Sequence, residues 1–256
     1  MSYILFLSII TGANLMIGVL LGISGISGFL LPLIYAGFLK MPVHDSLALS
    51  FLAFAVSGII GAYSYWKSEN MDMRLVLLLS IGSLPGAFLG VQINVLISEF
   101  LAKLLLYLFV LAAGISILIK KDHPHTKNAR SIVLDRVPMV MLLGFIIAAI
   151  CALTGAGGPI LLVPVLVSLG IQIRVAVGVS LLNSVVIALP SISGYFAHAT
   201  AEITPMLIIT SLLGIMIGIV TGARLANKVP VHHLKLTVAM ITILSSIYML
   251  ATLHTG

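Results

Sequence analysis

Two short glycine-rich segments interrupt long apolar stretches of the chain, with the sequences GISGISG at 22–28 and TGAGGP at 154–159. Glycine weakens a helix, and Pro159 is best tolerated in a first helical turn, so each segment predicts a helix that stops and restarts. A helix that starts in apolar surroundings exposes unpaired N–H groups and a positive dipole end, and an anion can satisfy both. Together with the hydroxyls of the segments, two such starts predict an oxyanion site that needs no buried lysine or arginine.

Three further polar residues lie in the apolar stretches that follow the segments. Asn183 is near the middle of its stretch, where an unbonded amide is costly, and a helix–helix bond or a contact to a ligand or coupling ion would each explain it. Ser50 and Ser180 are equivalent in the repeat described below, and such serines often bond their own backbone. The expected substrate-binding residues are Ser24, Gly25, Ser27, Gly28, Thr154, Gly155, Gly157, Gly158, Asn183, Ser50 and Ser180.

The composition is that of a membrane protein. Hydrophobic residues make up 61% of the 256 residues and charged residues only 8%, against about a half and about a quarter in soluble domains. So few charges could not cover a soluble globule, which excludes a soluble enzyme, a nucleic-acid-binding module and a disordered chain. The single cysteine, Cys151, excludes an intrachain disulfide and a membrane thiol–disulfide carrier. The net charge of +6 favours contact with anionic lipid headgroups or an anionic solute, and no nucleic acid, cofactor or metal is expected.

The distribution of charges divides this all-α polytopic chain into membrane spans. Residues 1–39 and 137–173 carry no charge, and as helices each would be about 55–60 Å long, nearly twice a hydrocarbon core of about 30 Å. Each stretch is therefore expected to form a hairpin of two helical legs, broken at its glycine-rich segment. The expected single spans are 46–66, 75–98, 104–119, 175–201, 203–223 and 236–256. The third of them is short unless Lys103 snorkels to the interface.

The two halves of the chain resemble one another. Residues 46–52 align with 176–182 at an offset of 130, and with two residues inserted the glycines at 82, 86 and 90 fall on those at 214, 218 and 222. Each half is a hairpin followed by three crossings, so the second copy must be inverted relative to the first. The predicted units are an N-terminal repeat at 1–119, a cytoplasmic linker loop at 120–137 and a C-terminal repeat at 138–256.

The basic residues test this inversion independently. If the loop at 120–137 is cytoplasmic, 11 of the 13 lysines and arginines lie on the inner side, and only Lys40 and Lys103 lie on the outer side. A parallel duplication would break this segregation. We therefore expect two inverted repeats with both termini outside, a plan that recurs in secondary transporters with discontinuous helices.

Three short motifs carry a resemblance to a known family: GAGGPILLVP at 155–164, VGVS at 177–180 and GARL at 222–225. The chain resembles the sulfite exporter TauE/SafE family of membrane transporters over nearly its whole length, with Ser24 and Ser27 among the glycines of the first half. The resemblance implies a multi-pass protein of the bacterial inner membrane that moves sulfite, organosulfonates or related small anions. We expect a secondary transporter that exports such an anion, and the alternatives are an anion channel and a transporter of small carboxylates. No hydrolytic motif occurs in the sequence, so no enzyme is expected.

Several remaining features can be structural as readily as functional. The glycines spaced four apart allow close helix packing, and the same spacing would serve a pore lining or the contact of a homodimer. His198 could relay protons near the outer end of its span, but an interfacial histidine is more often solvated. No acid is expected deep in a span, which argues against a carboxylate-based proton pump. Tyr65, Trp66 and Tyr195 are expected as anchors at the membrane interface.

Overall fold

The computed structural model describes residues 3–24, 27–119, 134, 136–200, 203–225 and 231–253. Every regular element in these ranges is helical, and seven of the helices are long and apolar enough to cross a membrane. The helices are α1 (Tyr3–Ser24), α2 (Ser27–Phe38), α3 (Val43–Lys67), α4 (Met73–Leu96), α5 (Glu99–Ile119), α6 (Val137–Thr154), α7 (Gly158–Ser168), α8 (Ile173–Ala197), α9 (Pro205–Leu225) and α10 (Val231–Thr252).

Both glycine-rich segments break a helix. The first break separates α1 from α2, and the second separates α6 from α7, which carries Pro159 in its first turn. The two legs of each hairpin are unequal, because α7 has only 11 residues and α2 is similarly short. At about 1.5 Å per residue a short leg covers roughly half of a hydrocarbon core. Each hairpin therefore combines a helix long enough to cross a membrane with a helix of about half that length.

The span preceding residue 120 is longer than its charge-free stretch predicts. α5 begins at Glu99, and Lys103 forms an ion pair with Glu99 at 2.9 Å, one helical turn apart. The predicted boundary at 104 is wrong because two charges that neutralise each other can both lie in the first turns of a span. The resulting helix has 21 residues, which is enough to cross a bilayer.

The order of a broken hairpin followed by three helices occurs twice. α3 and α8 begin 130 residues apart (173 − 43) and end 130 residues apart (197 − 67), while α4 and α9 begin 132 residues apart (205 − 73). These offsets are those of the sequence repeat, including its two inserted residues. The division into units at 1–119 and 138–256 follows this order and stays a prediction, and most of the linker at 120–137 lies outside the described residues.

The glycine stripes of α4 and α9 pack against the long hairpin legs of the opposite half. A Cβ on any of the three α4 glycines would overlap a backbone carbonyl of α6, for example at Gly86 the carbonyl of Phe145. A Cβ on the three α9 glycines would overlap carbonyls of α1 in the same way, for example at Gly218 the carbonyl of Leu15. The prediction that these glycines serve close packing is therefore confirmed, and the contacts join the two halves of one chain.

The contacts between the halves follow two registers. In the pair α1 and α9, and in the pair α4 and α6, the residue numbers of the contacting positions increase together along both helices. Each of these pairs is therefore parallel. Between α3 and α8 the order is reversed, because a Cβ on Gly58 would lie 2.7 Å from the Leu181 carbonyl oxygen and one on Gly178 would lie 2.7 Å from that of Asn70. Equivalent helices that run antiparallel are related by a two-fold axis perpendicular to them. This register supports the inverted repeat, which stays a prediction, as does its orientation across a bilayer.

Large apolar side chains cover the outward sides of the packed helices. On α4 the exposed residues Leu77, Ile81, Leu84 and Phe88 repeat at helical spacing, on the side opposite the glycine stripe. A soluble protein does not display so continuous an apolar surface, whereas a lipid environment requires it. The exposed surface therefore agrees with a multi-pass membrane protein.

Candidate functional site

The two helix breaks meet at one small cavity beside the middles of α3 and α8. It is lined by Gly28 of the first break, by Gly157 and Pro159 of the second, and by five side chains of the long helices: Leu21, Phe54, Ser57, Leu181 and Ser184. The cavity volume is about 10 Å³, which is hardly enough for one water molecule. Of the residues predicted to bind substrate, the structure brings Gly28 and Gly157 to this cavity, and their binding role stays a prediction.

The first break starts α2 with a tight 3₁₀ turn at Ser27–Phe29. Ser27 and Gly28 are fully buried in this turn, and a Cβ on Gly28 would lie 3.0 Å from Cε1 of Phe54. Ser24 is the last residue of α1, and Gly25 lies outside the described residues. The start of α2 is thus pressed against the side chain of α3 that lies in the cavity.

The second break has one residue with left-handed backbone, Gly155, at φ +71°. A Cβ there would overlap the side chain of Leu47, so both conformation and space favour glycine at this position. Gly157 has a φ of −58° and immediately precedes α7, while a Cβ on Gly158 would lie 3.1 Å from that of Ser184. The sharp turn is made at Gly155, and the next two glycines bring the start of α7 close to α3 and α8.

Side chains of other helices bond the carbonyl groups at the end of α6. Nδ2 of Asn94 donates to the Leu153 carbonyl at 2.7 Å, and the hydroxyl of Tyr195 donates to the Ala152 carbonyl at 2.7 Å. Such bonds are needed because a helix end in apolar surroundings has no water for its last carbonyls. Tyr195 is fully buried, so the prediction that it anchors the membrane interface is wrong. In the sequence, an aromatic residue near the end of a span fits either role.

Ser57 and Ser184 are the two hydroxyl groups in the cavity lining, and the sequence alone does not single them out. Each bonds its own helix, with Ser57 donating to the Phe54 carbonyl at 3.1 Å and Ser184 donating to the Leu181 carbonyl at 2.8 Å. Their signal in the sequence is weak because many serines of apolar helices form such bonds. The position of Ser184 next to Asn183 is the one hint that this turn of α8 is polar.

The remaining predicted polar residues do not line the cavity. Oδ1 of Asn183 accepts a bond from the Ser83 hydroxyl at 2.9 Å, and its buried Nδ2 has no partner among the described residues. Ser50 and Ser180 are fully buried and donate to carbonyls of their own helices at 2.7 and 2.6 Å. Thr154 likewise donates to the Ile150 carbonyl at 2.7 Å. A structural role accounts for these bonds, and a role in substrate binding stays a prediction.

A buried polar cluster fixes α2 to the long helices. Nδ2 of Asn14 donates to the Tyr35 hydroxyl, and Asn14 Oδ1 accepts from Ser211 at 3.3 Å. The hydroxyls of Tyr35 and Ser211 are themselves 3.2 Å apart. The three side chains come from α1, α2 and α9, so these bonds hold the short leg in place against both. The sequence alone does not reveal the cluster, because its members are far apart along the chain.

A second polar group lies where α3 begins and α8 ends. Asp45, in the first turn of α3, is fully buried and accepts bonds from the backbone N–H of Thr200, at 2.8 Å, and from its hydroxyl. The rings of His44 and His198 lie beside it with their centroids 6.0 Å apart. Because Asp45 lies in a first turn, it is not an acid deep in a span. The proton relay suggested for His198 stays a prediction.

Comparison with known proteins gives one family and several transporters. The family model described as Sulfite exporter TauE/SafE matches residues 10–249. The relative named probable membrane transporter protein YdhB, of Bacillus subtilis (strain 168), is 25% identical, over 86% of this chain and 90% of its own. A probable membrane transporter protein of Methanocaldococcus jannaschii is 24% identical over 97% of both chains. No solved structure matches the chain.

Proposed function

Because the chain belongs to the sulfite exporter TauE/SafE family, a family of membrane transporters, we propose that it is a secondary transporter of a small sulfur-containing anion. The proposed substrate is sulfite or an organosulfonate, and the proposed direction is export across the bacterial inner membrane. Family membership supports a membrane transporter, and the seven membrane-length helices among the described residues support a multi-pass one. The anion, the direction and the membrane belong to the proposal.

The observation that carries the proposal is the meeting of two helix starts at one cavity. The dipole of each start is positive at the cavity, and the first N–H groups of α7 have no partner within their own helix. An oxyanion offers several acceptor oxygens at once, so it can bond N–H groups from both starts. The proposed binding groups are the backbone of Gly28, Gly157 and Gly158.

The lining supplies hydroxyl groups and no charged side chain among the described residues. Ser57 and Ser184 donate to their own helices in this form, and each hydroxyl can rotate to donate to an anion instead. Fixed N–H groups and rotating hydroxyls bind an anion without the strong attraction of a buried lysine or arginine. Such a site can release its substrate on the other side, as a transporter requires.

The small volume of the cavity supports a carrier more than an open channel. With space for hardly one water molecule, the cavity must enlarge to receive an anion. Opening to one side at a time is the operation of a secondary transporter built from paired repeats. A channel would need a continuous polar path through the same region.

Counterflow in proteoliposomes tests the proposal. Vesicles that contain the purified protein and a high internal concentration of unlabelled methanesulfonate should transiently accumulate labelled methanesulfonate from a dilute external solution. Gly157→Val should abolish this accumulation, because its side chain enters the cavity. Gly12→Ala should leave it unchanged, because a Cβ on Gly12 meets nothing within 4 Å.

Two results would contradict the proposal. Movement of label without transient accumulation would indicate a channel. No accumulation with sulfite or with any sulfonate, in vesicles that accumulate a small carboxylate, would indicate another substrate class.

A further inference from the structure

One aromatic ring occupies the place where the two helix breaks meet. A Cβ on Gly28 would lie 3.0 Å from Cε1 of Phe54, and a Cβ on Gly157 would lie 3.6 Å from its Cζ. The ring, which belongs to α3, therefore lies in the space where a side chain on either glycine would extend, and it is buried. No other side chain of the described lining approaches both of these glycines so closely. An object bound to both helix starts would have to occupy the volume that this ring fills.

The repeat shows that the fold itself does not require a ring at this position. Phe54 is equivalent to Ser184 at the offset of 130 (184 − 54) that relates α3 to α8. Both residues line the cavity, one from each half of the chain. A serine therefore serves at the matching place in α8, with its own backbone bond. The difference between the halves places a bulky group on one side of the cavity and a hydroxyl on the other.

Neighbouring rings hold Phe54 in this position. Its ring stands edge-on to that of Phe51, with centroids 5.5 Å apart and planes at 85°. The ring of Phe51 stacks on that of Tyr195, with centroids 5.8 Å apart and planes at 11°. The hydroxyl of Tyr195 is bonded to the Ala152 carbonyl in the last turn of α6. The position of Phe54 is thus supported by a series of contacts that ends on the helix preceding the second break.

From Tyr195 a second branch of ring contacts leads to the beginning of α3. The ring of Tyr195 lies 6.1 Å from that of His44, and the ring of His44 lies 6.0 Å from that of His198. Aromatic pairs at such separations attract each other by dispersion and by their quadrupoles. A continuous line of five rings therefore connects the cavity with the end of the helix pair. Movement of Phe54 out of the cavity requires its contact with this line to change.

We propose that Phe54 closes the central cavity and limits the size of the solute that can enter it. In the closed form the ring covers the starts of α2 and α7, and an anion gains access only when the ring has moved away. A smaller side chain at this position leaves the cavity open and admits larger solutes. That the admitted solute is a sulfonate or sulfite rests on the proposed function.

Reaction of a cysteine placed in the cavity lining tests this closure. The natural cysteine is first removed as Cys151→Ala, and Ser184→Cys then reports access to the cavity. The probe is methyl methanethiosulfonate, a small neutral reagent, added to membranes that contain the full chain. We expect Phe54→Ala to raise the rate of reaction by about tenfold, because the rate follows the fraction of time for which the cavity is open. Phe54→Leu, which keeps a side chain of intermediate size, should give a smaller increase.

Two control variants distinguish closure by this ring from a general loosening of the helix packing. Phe88→Ala removes the same ring from the outward side of α4, where Phe88 is 59% exposed, and should leave the rate unchanged. Leu181→Ala removes bulk from the same cavity without uncovering either break, and should change the rate much less than Phe54→Ala. Equal acceleration by Leu181→Ala would overturn the proposal. The proposal would also be overturned if the thiol of Ser184→Cys reacted at the same rate whether position 54 is phenylalanine, leucine or alanine.

A second measurement on the same variants distinguishes closure from the proposed substrate. For this measurement Leu21→Cys is the reporter, because Leu21 also lines the cavity and its replacement keeps both lining hydroxyls. Methanesulfonate should slow its reaction when Phe54→Ala keeps the cavity open. Acceleration by Phe54→Ala without protection by methanesulfonate would support closure by the ring and overturn the binding of a sulfonate in the cavity. Protection without any effect of position 54 would support the anion site and overturn the role of Phe54.

Discussion

Individual side chains bond the last carbonyl groups of a helix that ends away from water. The last carbonyls of α6 receive bonds from Asn94 and Tyr195, which belong to two other helices. The break is therefore stabilised by long-range contacts and not only by its local glycines. This is why a tyrosine and an asparagine in otherwise apolar helices are fully or almost fully buried.

Removal of the Tyr195 hydroxyl should lower stability with little change in volume. Tyr195→Phe leaves the Ala152 carbonyl without this donor, at an expected loss of about 1–3 kcal/mol. The measurement is the thermal unfolding of the purified protein in detergent. Tyr63→Phe is the matched control, because Tyr63 is exposed on α3. An equal effect of both substitutions would show that the buried bond contributes nothing.

Gly155 should tolerate a methyl group poorly. Gly155→Ala places a Cβ on a residue with φ +71° and against the side chain of Leu47, so we expect a loss of about 1–2 kcal/mol in stability. Gly12→Ala is the opposite case, because this helical glycine has free space and alanine favours a helix by about 1 kcal/mol. Melting temperatures should therefore move in opposite directions. A Gly155→Ala variant as stable as the parent would contradict the left-handed turn.

The sequence predicts the glycines of the site better than its side chains. Gly28 and Gly157 are recognisable because glycines clustered in an apolar stretch indicate a break in a helix. Ser57 and Phe54 are not, because a serine or phenylalanine at helical spacing looks the same whether it faces a cavity or another helix. Which side of α3 faces the breaks depends on how the two halves pack, and one sequence does not contain that information in a local pattern.

At the scale of helices, the order of elements follows directly from charges and glycines. Charge-free lengths predict the order of the spans, while their boundaries shift by a few residues. At the start of α5 the shift arises because Glu99 and Lys103 pair. The small-residue spacing predicts close packing but not its partner. The structure supplies the partner, since α4 packs on α6 and α9 on α1, so each half is completed by a hairpin leg of the other.

Because each half packs on a hairpin leg of the other, substitutions in the two glycine stripes should lower stability to a similar extent. Gly86→Val should push α4 from α6, and Gly218→Val should push α9 from α1, because each new Cβ would overlap a backbone carbonyl. We expect a loss of at least about 3 kcal/mol in each case, seen as a reduced yield of monodisperse protein in size-exclusion chromatography. If one stripe tolerates valine and the other does not, the packing of the two halves is not equivalent.

At the scale of the whole molecule, the inverted arrangement predicts which loops face outside. In intact cells an impermeant thiol reagent should label Ala199→Cys and should not label Glu69→Cys or His125→Cys. The natural Cys151 is buried and should remain silent. Lysis of the cells should make all three positions reactive, which controls for local shielding. Ready labelling of His125→Cys in intact cells would overturn the orientation, because the loop at 120–137 carries much of the charge asymmetry.

Binding of methanesulfonate to the purified protein tests the anion site most directly, by isothermal titration calorimetry of the parent and two variants. The double variant Ser57→Ala and Ser184→Ala should bind at least about tenfold more weakly, because two hydroxyl donors to a charged ligand are lost. Ser193→Ala, on the exposed side of α8, removes a hydroxyl that also bonds its own helix, at 3.0 Å, and should bind like the parent. If the double variant keeps both its melting temperature and the affinity of the parent, the anion does not bind where the two helix breaks meet.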